Sequence, residues 1–159
     1  MKFIADAMLG RLARWLRLLG YDTSYYPKID DSLLLRLARE EKRILLTRDT
    51  RLVKVRCLPD FLLLHENDTF GQLGTVISKF DLTGDIEAKI FDSDTFLSRC
   101  AVCNALLLEK SNEESKLDVP EYVFQTCKTL KYCPECNKYY WKGTHPMRLQ
   151  KKLKEILYN

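Results

Sequence analysis

Two stretches of this 159-residue chain repeat one pattern: Cys100-Ala101-Val102-Cys103-Asn104 and Cys133-Pro134-Glu135-Cys136-Asn137, with 29 residues between Cys103 and Cys133. A C-x-x-C turn presents two sulfurs on one side, and two such turns complete the tetrahedral thiolate shell that zinc prefers. A redox C-x-x-C would have no reason to occur twice in matching form, so the spacing predicts a metal. Four protein ligands leave no open coordination position, which makes the predicted zinc structural rather than catalytic. Cys127 and His145 are the other conceivable ligands, and Cys127 has no C-x-x-C partner. Cys57 and Cys127 read as reduced thiols.

A second kind of chemistry is available to the carboxylates. Asp6, Asp30, Asp31 and Asp49 each follow a strand candidate or open a helix candidate. Taken singly, each has an ordinary reading as a helix cap or turn former. Taken together, they are placed to converge, and clustered carboxylates repel unless a hard cation neutralises them. Oxygen-rich sites favour magnesium or manganese, ions that activate water against a phosphodiester. Asp68, Asp92 and Asp94 are weaker candidates for an outer position.

A third group could contact an acidic partner. Arg11, Arg14 and Arg17 recur on one helical face, where they form either a solvated surface or a set of phosphate contacts. Tyr139, Tyr140, Trp141 and His145 stand among Lys138, Lys142 and Arg148. Aromatics interleaved with cations suit stacking on unpaired bases, and they equally suit packing inside a small ribbon. On this reading the nucleic-acid contacts are Arg11, Arg14, Arg17, Trp141, Lys142 and His145.

The elements that must position these groups follow from periodicity. Residues 2–5 read as a strand ending on Asp6, and residues 8–19 as an amphipathic helix with Leu9, Leu12, Ala13, Leu16 and Leu19 on one face. Residues 21–26 form a second strand candidate. A helix capped by Asp30 or Asp31 runs to about residue 42. Residues 43–47 read as a buried strand, 61–64 as a shorter one, and 70–80 as a helix capped by Asp68. Strands alternating with helices predict an α/β domain with a mainly parallel sheet, whose functional groups collect at the carboxyl ends of the strands. Residues 81–98 read as a polar connection. Strand candidates near 106–108 and 122–126 supply the ribbon, residues 111–118 a loop inside it, and residues from His145 onward a basic amphipathic helix. The predicted organisation is an α/β domain over 1–95 and a zinc ribbon with its helix over 96–159.

The charge supports this division: residues 1–98 are neutral, and the whole net charge of +4 falls in residues 99–159. A basic second half suggests an acidic partner or simply solubility. With 46% apolar and 30% charged residues the composition is that of a globular protein with a real core. No apolar run approaches the roughly 20 residues of a membrane span. The opening residues lack a secretory leader pattern, and a cytoplasmic location is expected.

The stretch from Lys2 to Asp22, KFIADAMLGRLARWLRLLGYD, resembles the opening of the PIN-like RNase domain found at the C-terminus of the Mut-seven exonucleases. Residues 43–49, RILLTRD, resemble its second signature. Arg99-Cys100-x-x-Cys103-Asn104 and the stretch from Cys133 through Tyr139-Tyr140-Trp141 to Gly143-Thr144-His145 resemble its zinc-ribbon signatures. The resemblance implies a PIN-like fold and magnesium- or manganese-dependent ribonuclease chemistry on RNA. It places Asp6 and Asp49 as strand-end acids and Asp31 as the acid before the Leu-rich helix, with Asp30 beside it. No position matches a fourth downstream acid. The alternatives from other classes are a non-catalytic RNA- or ribosome-binding adaptor and a protein-interaction module.

Overall fold

Four short strands form one parallel sheet in the spatial order β2-β1-β3-β4: β1 (Lys2–Ala5), β2 (Asp22–Tyr25), β3 (Ile44–Thr47) and β4 (Phe61–Leu63). Parallel neighbours need crossover connections. α1 (Gly10–Leu18) links β1 to β2, and α2 (Asp31–Glu40) links β2 to β3. The computed structural model describes residues 1–55, 60–91, 97–111, 113–115, 118–127, 129–141 and 144–158. Alternation sorts the strand residues between two cores. Phe3, Ala5 and Leu46 face the larger one, and Ile4 and Leu45 face a smaller one with Leu34, Leu35 and Ala38 of α2. The central strands are apolar on both faces because both faces are covered.

α3 (Thr69–Lys79) and α4 (Thr83–Phe91) complete the larger layer. The expectation of a polar connection over 81–98 is therefore corrected. Leu82 and Ile86 stand one helical turn apart and are both buried in the larger core, which holds α4 in place despite its polar neighbours.

The second sheet is antiparallel: β5 (Leu108–Ser111), β6 (Thr129–Cys133) and β7 (Lys138–Tyr140). Where a strand is expected over 122–126 the chain forms α5 (Glu121–Thr126) instead. Pro120 loses nothing by lacking an N–H just ahead of a first turn, Glu121 complements the helix dipole, and Val123 is turned fully into the ribbon core. Those gains override the strand preference of Tyr122, Val123 and Phe124. The strand expected over 106–108 begins at Leu108, and Leu106 makes only an isolated bridge to Arg99.

α6 (Thr144–Leu157) returns from the ribbon to the larger core. Leu153 is fully buried there with Leu73, Val76 and Ile77 of α3, and Ile156 packs against it. Gly74 of α3 faces α6, and a Cβ on it would meet Ile156 Cγ2 at 3.5 Å, an ordinary van der Waals contact. Full burial of a leucine is worth about 1.5–3 kcal/mol, so Leu12, Leu16, Leu73 and Leu153 hold these layers together. No helix among the described residues is long and apolar enough to cross a membrane.

Candidate functional site

The two cysteine turns have the same backbone. Asn104 N–H returns to Cys100 O at 3.0 Å, and Asn137 N–H returns to Cys133 O at 2.9 Å. Both asparagines take left-handed conformations, φ 73° and 53°, which Asn tolerates better than most residues. The sulfurs of Cys100, Cys103, Cys133 and Cys136 all lie within 4.8 Å of one another, with Cys103 and Cys133 3.4 Å apart. A tetrahedron of sulfurs about 2.3 Å from a zinc ion has edges of about 3.8 Å, so the cluster fits that ion.

Its electrostatics fit as well. Burial alone would raise the Cys100 thiol, but the Tyr140 hydroxyl and the backbone N–H groups of Cys103 and Val102 pull it down to about 6. Cys136, hydrogen-bonded to the Cys103 thiol, partly desolvated and facing the Cys100 charge, is pushed up to about 12. Sulfurs at this spacing ionise together only around a cation. Tyr140 of β7 fixes the geometry from behind, with its hydroxyl 3.1 Å from Cys100 Sγ and accepting Ala101 N–H at 3.2 Å.

The first knuckle is bolted to the parallel sheet. Arg17 Nε donates to Thr23 O at 2.8 Å, and its Nη1 donates to Val102 O at 2.7 Å and Ala101 O at 3.3 Å. Asn104 accepts Thr23 N–H at 3.0 Å and donates to Asp22 Oδ1 at 2.8 Å, a carboxylate that Arg43 Nη1 reaches at 2.6 Å. Asn104 of the knuckle and Arg17 thereby pair the N–H and the C=O of Thr23 on the free edge of β2. This corrects the expected arginine face. Arg11 and Arg14 are exposed, whereas Arg17 is 4% exposed and spends its donors on three carbonyls. The cause is the α1–β2 packing, which turns position 17 inward.

The acids stand at the carboxyl end of the parallel sheet. Asp6 is buried and caps the 3-10 turn Ala7–Leu9, with Oδ1 accepting Met8 N–H at 2.8 Å. Its Oδ2 accepts the Thr47 hydroxyl and Arg48 N–H, the latter at 3.0 Å. Thr47 Oγ1 in turn accepts Asp49 N–H at 2.9 Å, tying the ends of β1 and β3 together. Asp49 is clasped by Arg51, whose N–H lies 2.7 Å from Oδ1 and whose Nη2 lies 3.2 Å from Oδ2. These contacts hold the Asp49 carboxyl below the usual range. Asp30 caps α2 through Leu33 N–H at 2.9 Å, and Asp31 is exposed in its first turn, adding to the field on Arg51. Among the described residues the cysteines are the only group of three or more His, Cys, Asp or Glu side chains close enough to hold an ion. Asp6, Asp31 and Asp49 share the sheet end without closing into such a set. Asp68 is spent on capping α3, and Asp92 and Asp94 lie outside the described residues.

A cleft of about 620 Å³ runs from the start of α1 and the end of β3 to the first knuckle. Arg11, Arg14, Arg17 and Arg48 line it, together with Tyr25 and Asn67. Gly10 lines it too, and a Cβ there would come within 2.6 Å of Tyr25 Cζ and Oη, so the Tyr25 side chain would have to shift.

With this geometry in place, the family model described as Mut7-C RNAse domain matches residues 1–153. The chain belongs to that family. No curated protein and no solved structure matches it. The match covers the parallel sheet, the cysteine cluster and most of α6, so the Mut7-C RNAse domain includes both the α/β part and the ribbon. Family membership makes the chain nuclease-like.

The remaining candidates divide. Trp141 is half-buried against Val119, Val123 and Leu130 in the ribbon core, so packing claims at least part of its ring. His145 lies in the first turn of α6, and Lys142 and Cys57 lie outside the described residues. Sequence reasoning gives no separate role to Thr47, Arg48, Tyr25 or Asn67. The one available signal was the run Thr47-Arg48-Asp49, where a hydroxyl and a cation flank a strand-end acid.

Proposed function

We propose that this Mut7-C RNAse domain hydrolyses RNA phosphodiesters with a divalent cation, magnesium or manganese, held by Asp6, Asp49 and Asp31. The observation that carries the reading is the Thr47 bridge, which couples Asp6 and Asp49 across two adjacent parallel strand ends beside an arginine-lined cleft. A carboxylate has about four lone-pair sites, and Asp6 uses three, leaving one on Oδ1. Arg51 has an 89% exposed side chain, so its pairing with Asp49 is weak and readily displaced. Asp31 serves better than Asp30, whose carboxylate is occupied by the cap of α2. Bound there, a divalent ion would stabilise the charge that builds on the phosphodiester as water attacks. Arg11 and Arg14 supply phosphate contacts, while Trp141, Lys142 and His145 stay as candidates on the ribbon side, where the partner is single-stranded RNA. The zinc is structural, and the residue ranges 1–95 and 96–159 are the proposed units.

A second reading, a non-catalytic RNA-binding adaptor, is favoured by one observation: both oxygens of Asp6 and both of Asp49 already have protein donors. Manganese-dependent cleavage of several single-stranded RNAs separates the two. The hydrolase reading expects cleavage by the native chain and none by Asp6→Asn or Asp49→Asn, with both variants folded. Cleavage by the double variant at the native rate would refute the acid site. RNA binding without cleavage by the native chain would select the adaptor.

A further inference from the structure

One group in the cleft is built for a ligand that the acids do not explain. Arg48 Nε is buried and has no hydrogen-bond partner within the protein, the sole such side-chain nitrogen or oxygen among the described residues. Its guanidinium is nonetheless fixed, because Nη2 donates to Asn67 Oδ1 at 2.6 Å. The backbone is fixed as well, by Arg48 N–H on Asp6 Oδ2. A buried N–H without an acceptor costs free energy that an acceptor arriving from the cleft would recover. The same cleft is lined by Arg11 and Arg14, and among the described residues no acidic side chain lines it.

We infer that this cleft is a phosphate subsite in which Arg48 Nε is the anchoring donor and Arg11 and Arg14 are the flanking charges. The ligand class is a phosphate group of a nucleic-acid strand. A phosphate offers several acceptors in different directions, which suits guanidinium groups converging from two elements, and a cleft of this size accepts a nucleotide unit. Because Arg48 lies between Thr47 and Asp49, a phosphate seated on it adjoins the strand-end acids. The subsite thus sets the register of the strand relative to Asp6. The inference rests on the RNA reading above but not on catalysis.

The test uses the full zinc-loaded chain without added divalent cation. The Nε–Hε resonance of Arg48 is followed by NMR while a single-stranded RNA decamer is added, and decamer affinity is read by anisotropy at several salt concentrations. The expected result is a shifted Arg48 resonance. Affinity should fall about tenfold or more in Arg48→Lys, which keeps the charge but loses the Nε donor. The salt slope should fall by about one in Arg48→Gln. Native affinity in both variants, or an unmoved Arg48 resonance with the decamer bound, would overturn the subsite and leave the hydrolase reading standing. A shifted resonance in a chain that cleaves no RNA would support the subsite while the hydrolase reading falls. Inorganic phosphate that shifts the resonance at the same concentration as the decamer would assign the group to a free anion and overturn the strand subsite.

Discussion

Arg17 joins the zinc knuckle to the parallel sheet, and replacing it with methionine isolates that junction. Arg17→Met keeps much of the apolar stem but leaves three carbonyls, of Thr23, Ala101 and Val102, without their donor. The two short bonds, at 2.8 and 2.7 Å, are each worth about 1.5–3 kcal/mol as bonds from a charged donor, and the 3.3 Å contact adds little. Against this stands the cost of burying the guanidinium, which also lowers the Arg17 pKa. The net loss in zinc-loaded protein is therefore about 3 kcal/mol. Without zinc the knuckle is not held, its two carbonyls are no longer presented, and only the Thr23 bond remains to be lost. The same substitution should then cost about 1–1.5 kcal/mol. Urea unfolding of native and Arg17→Met chains, zinc-loaded and chelated, gives the difference as a coupling energy between the arginine and the metal. An equal loss in the two states would refute the clamp, and so would a loss below about 1 kcal/mol in loaded protein.

Two further outcomes follow from the same geometry. Cys100→Ser or Cys136→Ser should release metal and unfold the ribbon, because ligation of structural zinc supplies about 10–16 kcal/mol. Metal analysis should find about one zinc per native chain, and a folded ribbon purified metal-free without chelator would end the idea. For pH, burial pushes the Asp22 carboxyl up, but Arg43, Asn104 and Arg99 more than offset it and hold the carboxyl below the usual range. A depressed folded pKa stabilises above the ordinary value of about 3.9, and that contribution is lost as pH falls through the folded value. Asp22→Asn should accordingly be less stable at neutral pH and lose less on acidification below about pH 4. An acid limb of native shape in that variant would contradict the assignment.

The metal site was legible because its chemistry is local. Each C-x-x-C-N turn folds within five residues, so sulfur placement and the left-handed Asn follow from sequence order alone. The parallel sheet and the acids at its carboxyl end were legible for a related reason, since strand and helix periodicities are written in consecutive residues. Short elements were harder. α4 looks polar until Leu82 and Ile86 meet the larger core, and α5 looks like a strand until Pro120 and the buried Val123 decide otherwise.

The expected repulsion among the acids shows a different limit. From sequence, neutralising Asp6 would relieve crowding. In the structure Asp6 accepts three hydrogen bonds, from Met8, Thr47 and Arg48. Sequence reports which charges exist but not which donors face them.

The amino-acid sequence by itself determined the paired cysteine turns that cluster, the α/β order of elements and the strand-end acids, since each depends on spacings of a few residues. Only the tertiary structure decided that Arg17 is a buried clamp while Arg11 and Arg14 stay exposed, although all three share one helical spacing. Position 17 meets the carbonyls of residues 101 and 102, and contacts across 84 and 85 residues are settled by packing, which no local pattern encodes.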